Sequence, residues 1–159
     1  MVTYGQLKTL LADNGFGNLT AITHVGEGLR AAGMISTGAR TPMTTKDVAT
    51  LILGMSTLGK VSEKLHNVEA LMAMESQEGG AHFGAYLMGC LDYDQDLLPT
   101  VIHDLTIYPD TPAATCATGS ARGATHVLSW GRDLEPHRGP LWSVTIGTAV
   151  LRRIGKTLL

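Results

Sequence analysis

Aromatic side chains are scarce in this 159-residue chain: two Trp, four Tyr and two Phe make 5% of it. That scarcity weakens any function built on stacking nucleobases or caging a cationic ligand. Cysteine is scarcer still. Cys90 and Cys116 sit in no CxxC or mixed Cys/His frame, so two reduced structural thiols are expected rather than a metal or disulfide framework. No window approaches about 18 uncharged apolar residues, so no membrane-spanning helix is expected. The N-terminus has no basic stretch leading into an apolar run, so no secretory leader is expected and a cytoplasmic location is. No internal repeat and no low-complexity segment is visible. The formal net charge is −2, which is not the overall basic balance of many nucleic-acid binders. It does not remove them either, because local charge governs binding more than the total does.

Apolar residues and glycine are well supplied, at 44% of the chain and 19 positions. A core is within reach of one domain, or of one small domain with an appendage. The first half reads as helices. Thr3 is placed to cap a helix through about Asp13, with Tyr4, Leu7, Leu10 and Leu11 on one face. Asn14-Gly15-Phe16-Gly17-Asn18 breaks it. A second helix runs from about Thr20 to Ala32, with Ile22, Val25 and Leu29 three and four apart. Gly26 and Gly28 weaken this helix, each by about 1 kcal/mol relative to alanine, and Gly33 is a good terminator. Residues 34 to 43 allow two brief strands or an irregular loop. Thr44-Thr45-Lys46-Asp47 then resembles a capping box with Asp in the Glu/Gln position. It opens a third helix whose stripe is Val48, Leu51, Ile52, Met55 and Leu58. Further helices are expected over about Ser62 to Ser76 and Ala81 to Leu91.

The second half changes character. Val101 to Tyr108, Ala113 to Thr118, Ala124 to Trp130 and Leu141 to Ile146 read as short strands. Gly147 to Leu159 closes the chain as a helix. Runs of helix followed by runs of strand predict an α+β fold with a small antiparallel sheet and a C-terminal helix. Three segments follow: a helical winged unit over 1–58, a helical linker or dimerisation region over 59–98, and a small α+β module over 99–159. The apolar stripes around Val61 to Met72 and Phe83 to Leu91 are rich for so small a domain, so a contact between copies is expected there, with packing of the two helices on the C-terminal sheet as the alternative.

One stretch points at an activity. Gly5-Gln6-Leu7 lies in the first helix. Leu29-Arg30-Ala31-Ala32-Gly33-Met34-Ile35 ends the second, Arg40 follows, and Asp47-Val48 with Leu51-Ile52 opens the third. The order helix, turn, helix, short wing, helix resembles the MerR-like winged helix-turn-helix family over about residues 2–58, in a phage- or prophage-encoded form. The resemblance implies a sequence-specific regulator that binds double-stranded DNA as a homodimer or higher homo-oligomer. It implies a second helix lying in the major groove, with Asn18, Thr20, Thr23, His24 and Glu27 toward base edges. Lys8, Arg30, Arg40 and Lys46 would meet phosphates, which orient without specifying sequence. Phage small terminase subunits and excisionases use similar small winged helices, so a virion or packaging assembly role for the same fold is the alternative.

Other constellations lead elsewhere less readily. His24, His66, His82, His103, His126 and His137 are spread out, with none in a HxxxH frame, so no metal and no cofactor is expected. His103-Asp104, or Cys116 with His126, could orient a base and a nucleophile, but no nucleophile elbow accompanies them and no catalytic role is expected. Gly119-Ser120-Ala121-Arg122-Gly123 joins two expected strands, so it does not read as a phosphate loop. Arg132, His137 and Arg138, with Arg152, Arg153 and Lys156, make the last 30 or so residues basic, while 63 to 110 are acidic. A split of that kind suits an anionic partner, or else a solvated face.

Overall fold

The computed structural model describes residues 1–38, 40–92, 101–110, 112–119, 125–131 and 142–158. Local signals set the helix starts. Thr3 caps α1 (Tyr4–Asp13): its hydroxyl accepts the Gln6 N–H, and the Gln6 carboxamide accepts the Thr3 N–H at 2.9 Å. Asn18 caps α2 (Leu19–Ala31), accepting the Ala21 N–H at 2.8 Å. Such caps satisfy amides that the helix leaves without partners. Thr44 and Asp47 form the reciprocal box at the start of α3 (Thr45–Ser56). Past α2, Gly33 takes φ +71°, the left-handed conformation glycine adopts without a Cβ penalty.

α3 is the spine of the helical half. Val48, Ala49, Leu51, Ile52 and Leu53 are fully buried, because α2, α4 (Val61–Met72) and α5 (Phe83–Leu91) pack around it. A helix apolar on every side is stable only in such a position. The Lys64 ammonium, on α4, donates to the Gly54 and Thr57 carbonyls at the C-terminal end of α3, where a cation also complements the helix dipole.

The second half is a four-stranded antiparallel sheet ordered β3-β2-β1-β4, with β1 Val101–Tyr108, β2 Ala113–Gly119, β3 Thr125–Gly131 and β4 Val144–Gly147. α6 (Thr148–Leu158) follows and packs on α5, β1 and β4. Leu105, Ile107, Ala114, Cys116, Trp130 and Ile146 are buried and share one connected core with the helices. The architecture is therefore α+β, with helices first and an antiparallel sheet and closing helix after, as the order of patterns implied.

Of the two courses the sequence allows for 34–43, the described residues take the irregular one, a run of turns and bends without a strand. Two details differ from the sequence expectations. α4 stops at Met72 rather than near Ser76. The residues beyond it line the edge of β3 instead: the Gly131 N–H donates to the Glu75 carbonyl and the Gln77 N–H to the Ser129 carbonyl, each at 3.0 Å. The apolar stripes of α4 and α5, expected to mark a contact between copies, are used inside the chain. Val68, Leu71, Phe83, Leu87 and Leu91 are buried, and Leu65 packs partly buried on the same core.

Gly26, which costs α2 propensity, has a packing reason. A Cβ there would run into the Tyr4 hydroxyl and lie 2.9 Å from the ring's Cζ. Gly5 on α1 has nothing within 4 Å of an added Cβ. Gly26→Ala is therefore expected to destabilise by about 1–2 kcal/mol, overpacking outweighing the helical gain. Gly5→Ala is expected to stabilise by about 0.5 kcal/mol. Thermal unfolding of the two variants beside the parent checks the opposite signs.

Candidate nucleic-acid interface

α2 sits on α1 and α3 with Ile22, Val25, Gly26 and Leu29 turned inward. Helical spacing then sends Thr20, His24, Glu27 and Ala31 outward along one stripe, and all four are exposed. Leu19, Thr20, Thr23, His24 and Glu27 line an open cleft on this face. The stripe presents a hydroxyl, an imidazole and a carboxylate. These are donors and acceptors of the kind that read base edges.

The cations expected to meet phosphates divide into two pairs. Lys8 and Arg30 flank Tyr4: the ammonium lies 5.0 Å and the guanidinium 4.8 Å from the ring centroid. The Lys8 ammonium also donates to the Thr23 hydroxyl at 3.1 Å, and the Arg30 guanidinium donates to the Thr37 carbonyl. Burial and then the Glu27 carboxylate raise the Tyr4 phenol above its ordinary pKa, with Arg30 opposing them. Both cations are half-buried, and their first task is to hold α1, α2 and the following loop together. Arg40 and Lys46 are exposed on that loop and at the start of α3, past the C-terminal end of α2.

The loop itself is fastened by Asp47. This carboxylate is 5% exposed and accepts four hydrogen bonds. The Ser36 N–H and hydroxyl donate at 2.9 and 3.0 Å, and the Thr44 N–H and hydroxyl each donate at 2.8 Å. Burial pushes its pKa up, but the bonds from Thr44 and Ser36 outweigh burial and hold the carboxyl below its ordinary value. The capping pair was visible in the sequence. The tie to Ser36 was not, because it joins residues eleven apart through an irregular loop.

The sequence candidates thus meet different fates. Thr20, His24 and Glu27 share one exposed face. Asn18 stands at its start with its carboxamide oxygen engaged as the α2 cap. Thr23 is tied to Lys8. Residues 1–58 carry four cations against three carboxylates, one of them the buried Asp47, in a chain of net charge −2. Residues 1–58 are thus slightly basic, while 59–159 are acidic on balance.

The thiol reading gains nothing from the geometry. Cys116 is buried and accepts from the Tyr86 hydroxyl at 3.3 Å, and burial raises its pKa above the ordinary thiol value. Burial and the neighbouring Cys116 push the Cys90 thiol up to about 12. Thiols kept protonated in this way are poor nucleophiles. The side chains of His103 and His126, and the whole of His137, lie outside the described residues. Among the described residues no group of three or more His, Cys, Asp or Glu could hold a metal ion, and no helix is long and apolar enough to cross a membrane. No family model, curated protein or solved structure matches the chain.

Proposed function

We propose that this chain is a sequence-specific double-stranded-DNA-binding regulator of phage type, acting as a homodimer or higher homo-oligomer. One observation carries the reading. α2 is capped at Asn18, held from beneath by α1 and α3, and presents Thr20, His24 and Glu27 along one open face with cations beside and beyond it. A helix held this way fits the major groove. In that position His24 and Thr20 meet base edges, and Glu27 accepts from a cytosine amino group. Arg40 and Lys46 meet phosphates beyond the C-terminal end of α2. Palindromic sites read by small winged units call for two copies.

The test is selection from a randomised duplex pool, followed by binding of the enriched duplex and a scrambled one across a salt series. The enriched duplex is expected to bind at least about a thousandfold more tightly than the scrambled one. Arg40→Ala should weaken both duplexes alike and reduce the salt slope by about one. Thr20→Ala or His24→Ala should instead narrow the gap between them. A pool that yields no enriched sequence, with no binding at about 50 mM salt, rejects the proposal.

A virion or packaging assembly role is the second reading. It is supported by Trp142 and Val127, large apolar side chains each 50% exposed in the sheet half. That reading expects a ring or larger assembly in mass photometry and equal affinity for all duplexes.

A further inference from the structure

We infer that α6 joins α2 in holding the DNA, with Arg153 as a backbone-phosphate contact at the N-terminal end of α2; this rests on the DNA-binding reading above. The need arises from where the other cations lie. Lys8 and Arg30 are committed to Tyr4 and to Thr23 or Thr37. Arg40 and Lys46 lie past the C-terminal end of α2. A helix seated in a groove is positioned by phosphates on both flanks, and the N-terminal flank lacks a free cation from residues 1–58.

α6 supplies one. Leu151 and Ile154 face the core, and Arg152 and Arg153 are exposed. Val150 lines a cavity together with Met55 and with Asn14, Gly15 and Phe16, the turn that feeds the chain into α2. Gly17, at the end of that turn, also lies against Met55, since a Cβ there would be 3.1 Å from the Met55 Cε. The turn that leads into α2 and the Val150 flank of α6 therefore meet at Met55. Arg153 comes three residues after Val150, so it stands about one turn further along the same flank. Arg152 points to the opposite flank, where its charge lowers the pKa of Cys90 on α5. Arg153 is thus the arginine on the α2 side. An exposed guanidinium there matches a phosphate in charge and in fork geometry.

Fluorescence anisotropy of the full chain with a duplex of about 20 base pairs, titrated between about 50 and 200 mM salt, tests this. Arg153→Gln is expected to weaken binding about three- to tenfold at the low-salt end and to reduce the slope of log K against log salt by about 0.9. Arg152→Gln should follow the parent. Both positions are exposed, so melting of both variants should match the parent. An Arg153→Gln slope and affinity equal to the parent's overturns the α6 contact while leaving the DNA reading in place. An equal loss from Arg152→Gln also overturns it, since net charge rather than position would then be responsible. A parent chain that binds no duplex at low salt overturns both.

Discussion

Trp130→Ala is expected to lower the melting temperature by about 10 °C. Trp130 is 2% exposed on β3, with its ring centroid 4.5 Å from Tyr86 and 5.4 Å from Phe83, both on α5. Its indole N–H donates to the Ala81 carbonyl at 2.9 Å. One side chain thus joins the sheet to α5 and to the segment leading into it. Removing a buried indole costs about 3–5 kcal/mol, a large share of a total of about 5–15 kcal/mol. In a domain of this size each 1 kcal/mol moves Tm by about 2–4 °C. Trp130→Phe keeps most of the packing and loses the hydrogen bond, so it should cost only about 1–2 kcal/mol. Calorimetry of both variants separates packing from hydrogen bonding. Equal losses would assign the position's worth to the N–H instead of the ring.

Asp47→Ala has the second large expected effect, about 3 kcal/mol at pH 7. Its carboxylate accepts four hydrogen bonds from Ser36 and Thr44 in a buried setting. Bonds to a charged group contribute about 1.5–3 kcal/mol each, well short of additively, and their loss strands two amide N–H groups. The pH dependence carries a definite sign. The folded carboxyl titrates below its ordinary value, so its contribution is fully present above pH of about 4 and disappears as pH falls through the lower, folded value. Denaturant unfolding from about pH 3 to 7 should therefore show the gap between parent and Asp47→Ala closing below about pH 4. A gap constant across that range would mean that Asp47 stabilises by packing, not as a charged acceptor. Because Asp47 fastens the loop bearing Arg40, amides 36–41 should exchange faster in the variant.

Much of the fold was legible because its signals are local. The Thr3 and Thr44 caps, the breaker at 14–18 and the three- and four-residue spacing of apolar positions each act within one or two turns of chain. The strands starting at Val101 and Ala113 begin where the sequence reading places them. What could not be read depends on distant partners. Nothing near Gly26 in sequence reports that Tyr4 lies above it. The last turn expected of α4 gives way to pairing with β3, some fifty residues later. The α4 and α5 stripes look surplus until the sheet and α6 are set against them. The candidate interface was legible in the same uneven way. Thr20, His24 and Glu27 were among the base-edge candidates that the resemblance implied, and the structure sets these three on one exposed face. The engagement of Asn18, Lys8 and Arg30 with the protein's own atoms needed coordinates, as did the approach of α6 to the turn before α2.

The central claim is that the outward face of α2 meets DNA, and a chemical-shift map of the isotope-labelled full chain against a duplex tests it most directly. At about 50 mM salt, where phosphate contacts are strong, the largest shifts are predicted at Thr20, His24 and Glu27, with smaller ones along 36–41 and at Arg153. Shifts absent at excess duplex, or confined to sheet residues such as Thr106, Thr115 and Thr145, would contradict it.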